Sequence, residues 1–127
     1  MARTIYPDII GEQDIAHLPG DCSIREAGRY MVDHDVGSVL IMNGEELQGI
    51  FTERDALEIF VATRRNPDQT NIADVMTKSP QTIAPGAAPN DALQHMLNGG
   101  FRHLPVVDDN NKVLGMVSLR DLIGEAC

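Results

Sequence analysis

Two short segments of this sequence carry a hydroxyl, an arginine and a carboxylate in the same order. They are Thr52, Arg54 and Asp55 in the first segment, and Ser118, Arg120 and Asp121 in the second, 66 residues further on. A hydroxyl and an arginine can donate hydrogen bonds to a phosphate. A carboxylate can accept hydrogen bonds from both hydroxyls of a ribose. The chemistry of both segments therefore suits a phosphorylated ribose.

A second interpretation of the same residues needs no ligand. A Ser or Thr followed three residues later by an acid is the capping-box pattern, which satisfies free N–H groups where a helix begins. The same helix start also offers N–H groups and the positive end of the helix dipole to a phosphate. Capping alone does not require the glycines that precede the motifs, Gly49 and Gly115, or the arginine beside each acid. Both interpretations stay open, and the ligand interpretation accounts for more of the residues.

The two motifs belong to a longer internal repeat. LQGIFTERDAL at Leu47–Leu57 returns as VLGMVSLRDLI at Val113–Ile123, and the segment Glu26–Met42 returns as Asp91–Val107 with an offset of 65 residues. The 127 residues suffice for one compact domain made of two half-size repeats. A repeat of this kind predicts two equivalent surfaces and two equivalent sites.

The pattern within each repeat predicts β-α-β-β-α, with two helices on a small mixed sheet, and hence an α+β fold. Ser23 is the predicted N-cap of a helix that runs to about Asp35, and a further helix is predicted from about Glu53 to Arg65. An apolar strand, a turn and a second strand between these helices predict a hairpin. The predicted boundaries are an N-terminal extension at 1–10, the first repeat at 11–65, a linker at 66–71 and the second repeat at 72–127.

The amino-acid composition and net charge limit the classes of protein to which this chain can belong. With 43% apolar residues, 4% aromatic residues and no Trp, we expect a globular chain with an aliphatic core. The net charge of −9 argues against binding to nucleic acid or to an anionic membrane. The four histidines and two cysteines lack metal-ligand spacing, and no catalytic set is visible, so we expect neither a metal site nor an enzyme. Without a signal-peptide pattern, a cytoplasmic protein is expected.

The order of the elements, the HLPVVDD segment and the doubled G-h-h-[ST]-x-x-D signature resemble tandem cystathionine β-synthase (CBS) domains, the pair called a Bateman module. The resemblance covers residues 11–123. The first repeat differs at Leu40, where the family often has the proline seen at Pro105, and at Asn43, where it often has the acid seen at Asp108.

The resemblance implies a regulatory function. It implies two repeats related by a pseudo-two-fold, with a cleft between them that binds an adenosine-containing molecule: AMP, ADP or ATP first, NAD or S-adenosylmethionine as alternatives. No cofactor is obligatory. It also implies a homodimer, and an output through an unidentified effector protein in trans. A ligand-free dimerisation or protein-interaction module is the alternative function.

The family's site residues carry over onto both repeats. The resemblance implies that Ser118, Arg120 and Asp121 face the Asp14–His17 stretch, with Ala16 under the base and His17 as a further ligand-binding residue. It implies that Thr52, Arg54 and Asp55 face Ser79–Ile83, with Thr82 and Ile83 at the matching place. Val36 or Phe101 would lie against the base. Arg102 and His103 stand where related proteins place basic residues near phosphates, and the first repeat has Gly37 and Ser38 there.

Overall fold

The computed structural model describes the backbone of residues 3–126 and the side chains of residues 3–123. Residues 16–80 form one compact unit, here the continuous unit. Residues up to 15 join those from 81 onward in a second unit, here the composite unit. Helices and strands are mixed in both units, so the predicted α+β class and the doubled order of elements are confirmed.

The continuous unit is built on a four-stranded mixed sheet. Its strands are β1 (His17–Leu18), β2 (Ser38–Asn43), β3 (Glu46–Thr52) and β4 (Thr77–Lys78), in that spatial order. β1 runs parallel to β2, and the other neighbours are antiparallel. The register of the predicted β2–β3 hairpin places Ser38 directly opposite Thr52. The start of β2 and the end of β3 therefore meet at one edge of the sheet.

Two helices follow these strands in the continuous unit. Helix α1 (Ile24–His34) begins at Ser23, which forms a capping box with Glu26, as the sequence predicts for its N-cap. Helix α2 (Glu53–Glu58) continues as a π-helical turn (Ile59–Thr63), so the predicted helix from Glu53 ends near its expected place. The last turn is wider than an α-helix because the N–H of Arg64 donates to the carbonyl of Ile59, five residues back.

The composite unit repeats this order with fewer paired strands. Helix α3 (Pro89–Gly99) precedes β5 (His103–Val107), which is followed by β6 (Val113–Ser118) and helix α4 (Leu119–Ala126). β5 and β6 are antiparallel, and His103 lies opposite Ser118 as Ser38 lies opposite Thr52. The sheet irregularity in β5 also falls at the position equivalent to that in β2. The two hairpins thus share one register.

The parallel partner strand differs between the two units, and one proline explains the difference. In the continuous unit, the N–H of Leu40 donates to the carbonyl of Ala16 at 2.9 Å, which extends β1 beside β2. In the composite unit the equivalent residue is Pro105, which has no N–H to donate. Ile83 accordingly makes only an isolated bridge to Val106. The departure of Leu40 from the usual proline thus lengthens the pairing in the first repeat.

The N-terminal segment packs into the composite unit. The N–H groups of Ile5 and Tyr6 donate to the carbonyls of Ala87 and Pro85, each at 2.9 Å. Ile5 is fully buried, and it belongs to the same apolar cluster as Val117. The segment predicted as an N-terminal extension therefore supplies core residues to the second repeat.

Each motif glycine sits where another segment approaches the sheet closely. A Cβ atom on Gly49 would lie 2.5 Å from Sδ of Met76 and 2.8 Å from the carbonyl oxygen of Thr77. A Cβ atom on Gly115 would lie 2.6 Å from Oε1 of Gln13, whose side chain hydrogen-bonds the backbone of Met116. Both glycines therefore have a packing reason, independent of any ligand.

The cores of both units are mainly aliphatic, as the composition predicts. The cluster in the continuous unit contains a single aromatic residue, Phe51, and a thiol, Cys22. Burial raises the pKa of the Cys22 thiol to about 11, and the carboxylates of Glu26 and Asp21 add to this effect. Cys22 is therefore a protonated core residue at neutral pH.

Candidate functional site

The predicted hydroxyl and carboxylate form a pair at the junction of β3 and α2 in the continuous unit. Asp55 Oδ2 accepts a hydrogen bond from the Thr52 N–H at 3.0 Å, and Thr52 Oγ1 accepts one from the Asp55 N–H at 3.1 Å. This is a complete capping box. Both residues are half-buried. The structural interpretation of the motif is therefore correct for this repeat.

The junction of β6 and α4 in the composite unit has the same arrangement. Asp121 Oδ2 accepts a hydrogen bond from the Ser118 N–H at 2.8 Å, and Ser118 Oγ accepts one from the Asp121 N–H at 3.2 Å. Thr52–Asp55 and Ser118–Asp121 are hereafter the hydroxyl–carboxylate pairs. Their equivalence follows from the shared register of the two hairpins.

The capping hydrogen bonds leave some donors and acceptors at each helix start without a partner. The first helical N–H, that of Glu53 or Leu119, donates to the carbonyl of Gly37 or Arg102, at 3.0 and 2.8 Å. The third N–H is taken by the hydroxyl oxygen. Within residues 3–126, the second N–H, carried by the arginine of each motif, has no acceptor, and Oδ1 of each aspartate has no donor. A hydroxyl that accepts can still donate its own proton. Each pair therefore retains donors for a phosphate and an acceptor for a ribose.

Other predicted site residues lie close to these pairs in the fold. In the continuous unit, Gly37 accepts from the backbone of Glu53, and Ser38 lies opposite Thr52. In the composite unit, Arg102 and His103 occupy the same two positions. The turn before β2 or β5 is thus joined directly to the start of α2 or α4.

The predicted base-binding residues lie in the extended segment at the start of each repeat. Ala16 pairs with β2 in the continuous unit through its carbonyl, and His17 follows it in β1. In the composite unit, Ile83 pairs with β5 on both sides, donating to Pro105 and accepting from Val107, each at 3.0 Å. Thr82, which precedes it, is half-buried. Ala16, His17 and Ile83 therefore pair with the first strand of the hairpin in their own repeat.

The division of the chain into two units falls within both segments that are predicted to face a hydroxyl–carboxylate pair, Asp14–His17 and Ser79–Ile83. Asp14 belongs to the composite unit with Ser118, whereas Ala16 belongs to the continuous unit. Ser79 belongs to the continuous unit with Thr52, whereas Ile83 belongs to the composite unit. The predicted facing of one repeat's carboxylate and the other repeat's start stays a prediction.

The two predicted base platforms are half-buried apolar side chains. Val36 packs against the core of the continuous unit, and Phe101 packs against that of the composite unit. The Phe101 ring lies over Gly99, where a Cβ atom would collide with it. The absence of a side chain at Gly99 therefore allows the ring to lie against the end of α3.

Acidic residues distinguish the continuous unit, and the search for site residues in the sequence missed them. A Cβ atom on Gly37 would be 3.2 Å from Oε1 of Glu53, so this carboxylate lies over the turn. Arg54 forms an exposed ion pair with Glu58, at 3.4 Å. The equivalents of Glu53 and Glu58 are Leu119 and Gly124. Comparing the repeats position by position would have revealed this difference in charge.

Two further properties of the described residues bear on the function. Among the described residues, no group of three His, Cys, Asp or Glu side chains is placed to hold a metal ion. Over the same part of the chain, each helix is too short or too polar to reach across a bilayer.

The sequence matches the model of the CBS domain twice, over residues 8–62 and 72–126. The chain belongs to the CBS-domain family. The two matches contain the two hydroxyl–carboxylate pairs at equivalent places, which confirms the resemblance inferred from the doubled signature.

Relatives of known sequence or structure support this assignment. An uncharacterised protein of Methanopyrus kandleri is 38% identical over 77% of this chain and 50% of its own length. A CBS-domain containing protein of Agrobacterium tumefaciens has a TM-score of 0.85 at 26% identity, covering 94% of each chain. A CBS domain protein of Pyrobaculum aerophilum, complexed with AMP, has a TM-score of 0.80 at 26% identity, covering 87% of this chain and 84% of its own. The chain spans about half the length of the curated relatives it matches.

Proposed function

We propose that this CBS-domain pair is a regulatory module that binds an adenosine-containing ligand and acts on a partner protein in trans. The ligand contacts the hydroxyl–carboxylate pairs: Oδ1 of the aspartate accepts from the ribose, and the hydroxyl and the arginine donate to a phosphate. The observation that carries this proposal is that the capping boxes leave Oδ1 of each aspartate and the backbone N–H of each motif arginine without a partner among the described residues.

AMP is the first candidate ligand, because the Pyrobaculum aerophilum relative at 26% identity was solved with AMP. ADP and ATP share its adenosine and add phosphates, and NAD and S-adenosylmethionine are further candidates. The proposed binding residues are those predicted above. From the first repeat they are Thr52, Arg54, Asp55, Gly37, Ser38, Ala16 and His17, and from the second repeat Ser118, Arg120, Asp121, Arg102, His103, Thr82 and Ile83, where the start of each repeat is predicted to face the carboxylate of the other.

Exposed apolar side chains support a second part of the proposal, self-association. In the continuous unit, Val32 is 80% exposed, and it lines a groove of about 320 Å³ with Phe60 and the backbone of Gly28. In the composite unit, Leu97 is 64% exposed. Exposed apolar surface of this kind commonly marks a protein interface. We propose that a second copy of the chain covers these helices in a C2 homodimer.

A thermal-shift panel tests the ligand proposal. The full chain is heated with AMP, ADP, ATP, NAD or S-adenosylmethionine, each at millimolar concentration. A ligand present at about 100 times its dissociation constant adds ~2.7 kcal/mol to the free energy of unfolding. For 127 residues this raises the melting temperature by several degrees. If no adenine compound shifts the melting temperature, the ligand proposal fails, and the interaction-module alternative takes its place.

Light scattering tests the dimer separately. We expect twice the 13.9 kDa mass of the chain at micromolar concentration, and a monomer for Val32→Asp, which places a charge on the apolar surface. Asn43→Asp, which adds the same charge at the exposed end of β2 and outside this groove, is the matched control and should stay dimeric. A monomer for the unaltered chain would refute self-association.

A further inference from the structure

The two hydroxyl–carboxylate pairs lie in surroundings of opposite charge. Resting on the proposed function, we propose that the site in the composite unit takes phosphorylated adenosine compounds. The site in the continuous unit takes adenosine compounds that carry no phosphate, either neutral or cationic. The two equivalent sites thus differ in the class of ligand that they bind.

The first supporting observation is the position of Glu53. Its N–H donates to the carbonyl of Gly37 at 3.0 Å, and its carboxylate lies over the same glycine. A negatively charged carboxylate therefore lies beside the turn at the start of α2. In the composite unit the same helix position is Leu119, whose N–H donates to the carbonyl of Arg102 at 2.8 Å. There the acid is absent, and the turn itself carries a guanidinium.

The second observation concerns the motif arginines. Arg54 is paired with Glu58, one helical turn further on. Arg120 is followed at that spacing by Gly124, which has no side chain to offer. No ion pair of Arg120 occurs within the part of the chain that the structure describes. The positive charge of the motif is therefore partly neutralised by Glu58 in the continuous unit, and the composite unit has no acid at the equivalent position.

The third observation is the turn that precedes each hairpin. In the continuous unit it begins with Asp35, which closes α1 in the left-handed conformation at φ 52°. In the composite unit the same cap is Gly100, at φ 73°. Asp35 therefore adds a third acidic residue to Glu53 and Glu58 in the continuous unit, and none of the three has an acidic equivalent in the composite unit.

This difference acts mainly on phosphates. A phosphate monoester carries a charge of about −1.5 to −2 near pH 7, so nearby carboxylates repel it, whereas a neutral nucleoside is unaffected. The charges are solvent-exposed, so each contributes a modest, salt-dependent amount. Removing one such carboxylate should strengthen phosphate binding about two- to fivefold. A sulfonium or amine on the ligand would be attracted by the same residues.

The test isolates one site at a time in the full chain and measures the affinities of AMP and adenosine by calorimetry. Asp121→Ala leaves the site of the continuous unit, which should bind adenosine more tightly than AMP. Asp55→Ala leaves the site of the composite unit, which should show the reverse order. Adding Glu53→Gln to Asp121→Ala should strengthen AMP binding about two- to fivefold and leave adenosine unchanged.

The matched control is Glu46→Gln, which makes the same change in net charge at the far end of β3. It should leave both affinities unchanged. Equal preference for AMP at the two isolated sites, or equal effects of Glu53→Gln and Glu46→Gln, would overturn this inference while leaving the proposed function intact. Failure of both ligands to bind the unaltered chain would refute the proposed function itself, and this inference with it.

Discussion

Asp55 and Asp121 each have one observed and one proposed role, and a different carboxylate oxygen carries each role. Oδ2 caps the following helix, whereas Oδ1 is the proposed acceptor for the ribose. Asp121→Ala should therefore lower both the stability and the affinity. We expect the free energy of unfolding to fall by ~1 kcal/mol through the lost cap. Loss of a charged hydrogen-bond partner should weaken AMP binding by one to two decades, equivalent to ~1.5–3 kcal/mol.

Helix α1 provides the control for this prediction. Its capping box, Ser23 with Glu26, has the same chemistry and no proposed ligand. Glu26→Ala should cost a similar ~1 kcal/mol in urea denaturation and leave the AMP affinity unchanged. If Asp121→Ala likewise changes stability alone, its carboxylate is a cap and nothing more.

A second prediction at the residue scale concerns pH and Cys22. Its pKa is raised to about 11 in the folded chain from an ordinary 9.0. Up to about pH 8 the thiol is mostly protonated in the folded and the unfolded states, so it adds almost no pH dependence. Between pH 9 and 11 the unfolded chain loses this proton first, so the free energy of unfolding falls, by up to ~2.7 kcal/mol.

Urea denaturation at several pH values, with Cys22→Ala as the reference, measures this effect. Groups that titrate in both proteins cancel in the difference. The stability advantage of the unaltered chain over Cys22→Ala should be nearly constant up to about pH 8 and then decrease, most steeply between pH 9 and 11. A difference that stays constant to pH 10.5 would mean that the thiol is not effectively desolvated.

At the scale of elements, the sequence was sufficient to predict the helices and strands wherever one repeat could be compared with the other. The hairpins, the capped helices and the two hydroxyl–carboxylate pairs follow from periodicity and from the doubled signature. The packing of the N-terminal segment against the second repeat could not be predicted from the sequence, because no periodicity relates Ile5 to Val117. The packing role of Gly49 also required the structure, since the approach of Met76 depends on tertiary contacts.

The motif glycines allow a prediction about packing. Gly49→Ala meets a backbone carbonyl, that of Thr77, which cannot move without shifting β4. Gly115→Ala meets the end of the flexible Gln13 side chain. We expect Gly49→Ala to cost about 1–3 kcal/mol in urea denaturation and Gly115→Ala clearly less. Gly86→Ala, with nothing within 4 Å of its Cβ position, is the control. Equal costs at both motif glycines would contradict the geometry.

At the scale of the whole molecule, the composite unit depends on residues from both ends of the described chain. Ile5→Ala removes a fully buried side chain and should cost ~2–5 kcal/mol. Amide hydrogen exchange should become faster in β5 and β6 while β2 and β3 keep their protection, because opening is local to the affected unit. Ile123→Ala, at a side chain that is 53% exposed, is the control and should have little effect. Uniform loss of protection in all four strands would show that the units unfold together.

The same chain arrangement has a consequence for biosynthesis. A ribosome releases residues 16–80 in sequence, so the continuous unit has all its parts before translation ends. Ile5 and Ile10 emerge before that unit, yet Val117 of β6, which belongs to the same apolar cluster, emerges more than a hundred residues later. At about 5–20 residues per second, this leaves both side chains without their β6 partner for on the order of ten seconds. The apolar cluster of the composite unit therefore cannot be completed around Ile5 and Ile10 until β6 has been made.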